Sequence, residues 1–245
     1  MEPNHFTQTA LVQNADADFR SLLKPSALLR YVEQVSTDHV RAFGMDDQFF
    51  HQRNVAFLVG KQALRFVRVP HRTEVLTLTT QVEQSHRGSI KRITKVLDRA
   101  GALVAEVDCR WILVDLKKGH IMREPDWTVE NFWNEQVEGE LPLHTHRCKE
   151  LTPAGEWTAR YSLCDLNGHI NNAFYLDIAC DALPPEVLRQ GPVTFAAVNY
   201  HREVPMGETM QVFYAPSQAG WYVTGRQEDC TSFECYLEVG TVTES

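Results

Sequence analysis

No stretch of this sequence is apolar for long enough to cross a bilayer, which takes about 20 consecutive residues. The start, Met1-Glu2-Pro3-Asn4-His5-Phe6, has neither the basic opening nor the apolar run of a secretory signal, and no Arg/Ser-rich transit segment follows. A cytoplasmic protein with no membrane partner is the expectation. Cysteine is sparse and unpatterned: six residues (109, 148, 164, 180, 230 and 235) with no Cys-x-x-Cys pair, so free thiols are expected rather than a disulfide framework. His144, His146 and Cys148 alternate at period two, but no complementary ligand pair with zinc-like spacing accompanies them. Neither a metal nor a cofactor is expected. Positive charge is also short, at 24 Lys and Arg against 32 Asp and Glu, a net charge of −8. That balance, with no basic helix-turn-helix block, argues against nucleic acid as a partner. Within it, residues 61–99 hold nine Lys and Arg against three Asp and Glu. Such a local excess suits a solvated sheet face or an acidic partner.

What is present is order that repeats. Phe6 to Val12 reads as an opening strand. Leu28, Leu29, Val32, Val35, Ser36, His39, Val40 and Phe43 then recur at helical spacing, predicting a helix from about Pro25 to Phe43 that Gly44 caps. Residues 46–54 read as a loop. From Val55 to Met122 the pattern is consecutive strands, punctuated by Pro70, His86-Arg87-Gly88-Ser89, Asp98-Arg99-Ala100-Gly101 and Lys117-Lys118-Gly119. After a Pro- and Trp-containing segment the sequence starts again. Trp157–Leu163 reads as a strand and Asn171–Leu183 as a helix stopped by Pro184-Pro185. Strands follow at 193–202, 208–214, 221–226 and 233–239. Even Arg68-Val69-Pro70 and Glu203-Val204-Pro205 correspond as the ends of the first long strand after each helix. The expected class is α+β, a double hotdog: two fused units, each an antiparallel sheet curled around one helix and joined edge to edge. The units are residues 1–122 and 156–245, with 123–155 as a connecting segment packed across a surface.

Chemistry concentrates in Cys164-Asp165-Leu166-Asn167-Gly168-His169-Ile170-Asn171-Asn172. As an extended segment it would place Asp165, Asn167 and His169 on one face, with Cys164 on the other. A carboxylate, an amide and an imidazole so aligned can position and polarise a carbonyl compound. Asn171-Asn172 then opens a helix, whose first N–H groups favour developing negative charge. Asx-turn chemistry alone would also account for Asp165, Asn167 and Gly168.

The run from Asp165 to Tyr175 resembles the Asp-x-Asn-x-His-x-Asn-Asn-x-x-Tyr signature of acyl-acyl carrier protein thioesterases. Asn199-Tyr200-His201-Arg202-Glu203 is similar to that family's Tyr-Arg-Arg-Glu segment, at a matching distance from the first motif. The resemblance implies a double-hotdog hydrolase that releases free fatty acid from an acyl carrier protein and so terminates fatty acid synthesis. Its partner would be the acidic carrier protein, whose phosphopantetheine arm enters near the site; Lys91, Arg92 and Lys95 are candidate docking residues. An acyl-CoA thioesterase, or a non-catalytic protein that binds acyl thioesters, would fit the same residues. The chain could act as a monomer or a homodimer.

The resemblance assigns catalysis to Asp165, Asn167, His169 and Glu203. Glu203 would be the general base for water, Asn167 and His169 would orient water and polarise the thioester, and Asp165 would hold both in place. In the rival scheme Asp165 is the nucleophile and forms an anhydride. Asn171, Asn172 and Tyr175 are candidate substrate contacts, although helix-start chemistry suits the two asparagines and core packing suits Tyr175. Glu203 could instead pair with Arg202 or His201. Plant members carry a cysteine after the glutamate, and here that position is Val204, so no cysteine is expected to attack. The matching stretch of the first half, Asp18 to Pro25, lacks Asn and His at the corresponding offsets. One active site is expected, in the second half, with the first half supplying the acyl-chain pocket.

Overall fold

In the computed structural model, which describes residues 4–240 except 126 and 128, eleven strands form one sheet. The first half comprises β1 (Phe6–Leu11), α1 (Pro25–Ala42), α2 (Asp47–Arg53), β2 (Val55–Phe66), β3 (Val75–Val82), β4 (Ser89–Leu97), β5 (Leu103–Asp115) and β6 (His120–Met122). The second comprises β7 (Thr152–Thr158), α3 (Phe174–Asp181), α4 (Pro185–Gln190), β8 (Val193–Tyr200), β9 (Thr209–Ser217), β10 (Gly220–Gln227) and β11 (Cys230–Val239). Strand order is β1-β3-β4-β5-β2-β8-β11-β10-β9-β7, with β6 on β5. The order reads the same from either end once each strand is exchanged for its counterpart, as a duplication requires. The halves meet at β2 and β8, paired antiparallel from Lys61 opposite Asn199 to Arg65 opposite Phe195.

The apolar stripe predicted for α1 is its buried face, and the helix ends in a Schellman arrangement. Met45 N–H reaches Val40 O at 3.2 Å, Gly44 N–H reaches Arg41 O at 2.9 Å, and Gly44 supplies the φ of +76°. Helices α1 and α3 lie side by side on the sheet, joined by Ser26 Oγ–H donating to Asp177 Oδ1 at 2.6 Å. One core runs through both units: Leu28, Val32, Leu64 and Val107 belong to the same buried cluster as Ile170, Leu176, Val198 and Leu237. A second cluster, with Met45, Val55, Val82, Ile90 and Leu113, lies in the first half. The connecting segment supplies Phe132 to that cluster and Leu141 to a third, which lies over the seam against Ala63, Phe195 and Ala197.

Several expectations are corrected. Residues 46–54 are not a loop: Asp46 caps α2 by accepting from Phe49 N–H at 2.8 Å, and Asn54 ends it in the left-handed region. The second-half helix spans only Phe174–Asp181, because Asn171 folds the preceding residues into a turn, and α4 follows separately. The strand expected at 157–163 is β7, ending at Thr158, then a 3-10 turn at Tyr161–Leu163. The correspondence of the two Val-Pro endings shifts by one residue. Leu23 N–H bonds Pro70 O as Ile170 N–H bonds Val204 O, so Pro70 matches Val204 and Val69 matches Glu203.

A continuous sheet and a shared core leave the halves no independent way to unfold. Differential scanning calorimetry should therefore give a single transition with equal calorimetric and van't Hoff enthalpies. Two resolved transitions would contradict a common core.

Candidate active site

The stretch from Cys164 to Asn172 is not extended. It is a tight turn closed at its base by bridges from Cys164 to Ile170 and from His169 to Pro205. Asp165 N–H donates to His169 O at 3.0 Å and Gly168 N–H donates to Asp165 O at 3.0 Å. Asp165 Oδ1 accepts from Asn167 N–H at 2.8 Å, the Asx turn that the sequence allowed. Gly168 sits at φ +78° with open space where a Cβ would be, so backbone conformation alone selects glycine there. Turn chemistry and a polar cluster turn out to be the same object. The turn, not strand alternation, brings Asp165, Asn167 and His169 together on one cavity wall.

His169 is the centre of that cluster. Its Nδ1 lies 3.2 Å from Ile170 O and 4.0 Å from Asp165 Oδ1. Its Nε2 lies 3.5 Å from Glu203 Oε2. A proton on Nδ1 shared with the Ile170 carbonyl leaves Nε2 turned to Glu203. The Glu203 side chain is 67% exposed, so its contact with His169 adds little to stability. His201 does not compete for Glu203, because its Nε2 is 2.8 Å from Glu234 Oε2. Buried Glu234 also accepts from Tyr222 OH at 2.7 Å and from Arg147.

The cavity holding this cluster, about 730 Å3, is lined by Asp165, Asn167, His169, Asn171, Asn172, Tyr175 and Glu203, so every candidate catalytic or substrate-contact residue reaches it. The Asn171 side chain does helix-start work, its Oδ1 accepting from Ala173 N–H at 2.9 Å, while its backbone O takes Phe174 N–H at 3.0 Å. Those two N–H groups are thus occupied and cannot serve as the oxyanion donors expected at the helix start. Asn172 O accepts from Tyr200 OH at 2.8 Å, and Gln62 Nε2–H donates to the same phenol oxygen. Tyr175 is buried against Tyr200 and Phe233, with burial as the main cause pushing its phenol up.

A second cavity, about 520 Å3, lies in the first half among Val40, Met45, Phe50, Val55, Val82, Ile90 and Phe132. Ala56, Phe57, Trp111 and Asn167 line both cavities, so Asn167 stands where the polar site meets the apolar one. Arg92 also lines the apolar cavity and is only 4% exposed. Its Nη1 lies 3.0 Å from His39 Nδ1 and donates to Thr80 Oγ1 at 3.2 Å. Burial lowers Arg92 to about 10, still cationic at neutral pH, and burial with the Arg92 charge lowers His39 to about 3, keeping it neutral. The docking expectation therefore fails at Arg92. Lys91 is also engaged, 3.3 Å from Glu83 and donating to Val137 O at 2.6 Å.

Sequence reasoning missed Glu33 and Gln62, and the places that Tyr200 and Arg92 take. The first three line the polar cavity and Arg92 the apolar one. Glu33 borders the α1 stripe and Gln62 lies inside a strand, with no local motif to mark either. Tyr200 was within the second block, but only the fold shows its hydroxyl reaching the turn. Among the described residues no three His, Cys, Asp or Glu side chains gather as a metal site would need. Cys109 lines the polar cavity, but burial first, then the Asp108 charge, pushes its thiol up to about 12. Cys164 is pushed up as well, by burial and then by Asp165, and lines neither cavity.

Two curled half-sheets, each carrying a helix and joined into one sheet, define a double hotdog fold. Residues 3–132 match the family model for the acyl-ACP thioesterase N-terminal domain, and residues 148–243 match that for the C-terminal domain. The chain belongs to the acyl-ACP thioesterase family. It is similar to the crystal structure of an acyl-ACP thioesterase from Bacteroides thetaiotaomicron, with a TM-score of 0.86 at 18% identity, covering 96% of this chain and 98% of that one. The 12:0-ACP thioesterase from Umbellularia californica gives a TM-score of 0.77 at 14% identity, covering 97% of this chain and 98% of that one. Among curated proteins, a chloroplastic palmitoyl-acyl carrier protein thioesterase of Cuphea hookeriana is 21% identical over 209 residues. That match covers 79% of this chain and 50% of the relative. The chain thus spans about half the length of the curated relatives it matches first.

If the site has no thiolate, iodoacetamide in the folded protein should label exposed Cys230 and spare Cys109, as read by mass spectrometry at pH 8. Rapid alkylation of Cys109 would reopen a cysteine mechanism.

Proposed function

We propose that this protein hydrolyses the thioester of a fatty acyl-acyl carrier protein, giving free fatty acid and holo-carrier protein. The observation that carries the reading is the junction at Asn167. A polar cluster with two carboxylates and a histidine opens there onto an apolar cavity suited to an alkyl chain. With the chain in that cavity, the thioester carbonyl lies beside Asn167 and the thiol leaves toward the outer mouth.

Glu203 takes a proton from water as the oxygen attacks the carbonyl carbon. The Asn167 amide N–H steadies the oxyanion, a role the occupied N–H groups of Ala173 and Phe174 leave to it. His169, placed between Asp165 and Glu203, orients the water. Collapse of the tetrahedral intermediate breaks the C–S bond, and the proton held by Glu203 passes to the departing thiolate. Asp165 holds the turn by accepting the Asn167 backbone N–H, which favours an orienting role over direct attack. A reducing, cytoplasmic setting is part of the proposal, supported by six free thiols.

Thiol release from acyl carrier protein and CoA thioesters of graded length tests the reading; preferential turnover of the carrier-protein substrates is expected, and no release from either refutes it. Replacing Asp165, Asn167, His169 or Glu203 with Ala should lower kcat by about 10²–10⁴-fold. Glu203→Ala should also leave Tm nearly unchanged. In oxygen-18 water a single turnover should place label in the fatty acid and none in Asp165; labelled Asp165 would favour the anhydride route. Val82 lines the apolar cavity only, so Val82→Phe should shift preference toward shorter acyl chains. An unchanged chain-length profile would move the chain elsewhere.

A further inference from the structure

Glu33 lies on α1, in the half that contributes nothing to the polar turn, yet it lines the same cavity as Asp165, Asn167, His169 and Glu203. Its carboxylate accepts from Asn171 Nδ2–H, with Oε2 at 3.1 Å and Oε1 at 3.4 Å. The orientation of that amide is fixed independently, because Asn171 Oδ1 is taken by Ala173 N–H. Nδ2 must therefore face Glu33. Asn171 N–H is anchored on Leu163 O at 2.9 Å, and the carbonyl beside it, Ile170 O, is the one that His169 Nδ1 meets at 3.2 Å. A short run of contacts thus leads from α1 through Asn171 to the imidazole.

The duplicated half supplies a comparison within the same molecule. Hydrogen bonds that equate Leu23 with Ile170 put Lys24 at the place of Asn171. By the same equivalence the α3 residue in the place of Glu33 is Cys180, a half-buried thiol whose electrostatic neighbours include Asp18, much as those of Glu33 include Asp165. Pairing of the two halves therefore does not itself demand a carboxylate at this position of the crossing helix. A carboxylate stands there only where the turn carries Asn167 and His169. Glu33 reaches solvent, but partial loss of water around its carboxyl pushes it up, the Asn171 hydrogen bond and Arg30 oppose that, and the Asp165 charge adds to it.

We propose that Glu33 is a positioning residue for the hydrolysis, acting by holding Asn171 and, through it, the segment that aims His169. This rests on the thioester-hydrolase reading. The first half then contributes to the chemistry as well as to the acyl pocket, and the single site needs both halves. A hydrogen-bond acceptor is required at this position, so glutamine can serve where an apolar side chain of similar length cannot.

The test compares kcat and KM for an acyl-acyl carrier protein substrate, with Tm, in the parent, Glu33→Met, Glu33→Gln, Asn171→Ala and the Glu33→Met/Asn171→Ala double variant. Glu33→Met should lower kcat about tenfold with KM little changed, a loss consistent with one hydrogen bond to a charged group. Glu33→Gln should recover most of that loss. The double variant should be no slower than the slower single one, because both changes break the same contact. Glu33→Met with kcat within about twofold of the parent would overturn the proposal, as would a double variant whose loss is the product of the two single losses. If Glu33→Met lowers Tm sharply, the glutamine variant decides, and a stably folded Glu33→Gln as slow as Asn171→Ala overturns it. A parent protein that releases no thiol refutes the hydrolase reading instead, so the two failures are told apart.

Discussion

The pairing of β2 with β8 is the contact on which everything else depends. Along it Ala63 pairs with Ala197 and Leu64 with Ala196, and backbone hydrogen bonds carry one sheet from half to half. With the sheet continuous, α1 and α3 share one apolar surface and meet at Ser26 and Asp177. Each helix is then within reach of the turn that precedes the other. Glu33 reaches Asn171 by this route, and Gln62 on β2 meets Tyr200 on β8 next to the turn. The candidate site is thus a property of the seam as much as of the second half.

The two turns show how a duplicated backbone diverges in chemistry without changing shape. Asp18 N–H bonds Leu22 O as Asp165 N–H bonds His169 O, and Asp18 Oδ1 holds Arg20 N–H as Asp165 Oδ1 holds Asn167 N–H, both at 2.8 Å. Ser21 adopts φ +65° where Gly168 adopts +78°. Arg20 stands in the place of Asn167, Leu22 in that of His169 and Val69 in that of Glu203. The Arg20 side chain is drawn into contact with Leu188 O on α4 and with Asp18, which covers the first-half turn. Conversely the first half keeps a cavity beside α2, while Leu183 and Val187, at either side of the start of α4, are buried in the shared core. One half carries the reactive groups and the other a cavity of a size for a chain.

Much of this was legible in the residues, for physical reasons. The α1 stripe and its Gly44 cap are local signals, as are the turns at 86–89, 98–101 and 117–119 that separate the strands. The duplication was visible because both halves repeat the same order of elements. Asp165, Asn167, His169 and Glu203 could be singled out as candidates because motif and spacing are sequence properties, and the four line one cavity. The reason they converge was misjudged: alternation along a strand was expected, whereas an Asx turn does it. Glu33 and Arg92 were invisible as partners because their contacts cross long separations, to Asn171 and to His39 and Thr80. Arg92 also misled, since a charged residue in a basic run reads as surface until its strand is placed with that face inward.

In the proposed reaction the two halves divide the labour: the thioester sits against the second half's turn while its alkyl chain lies inside the first half. A non-hydrolysable pantetheine thioether carrying a photoreactive diazirine at the chain end would test this directly. After irradiation, crosslinks are expected to lining residues of the apolar cavity such as Val82, Ile90 or Phe132. Crosslinks instead to residues under α3 and α4, in the second half, would contradict it.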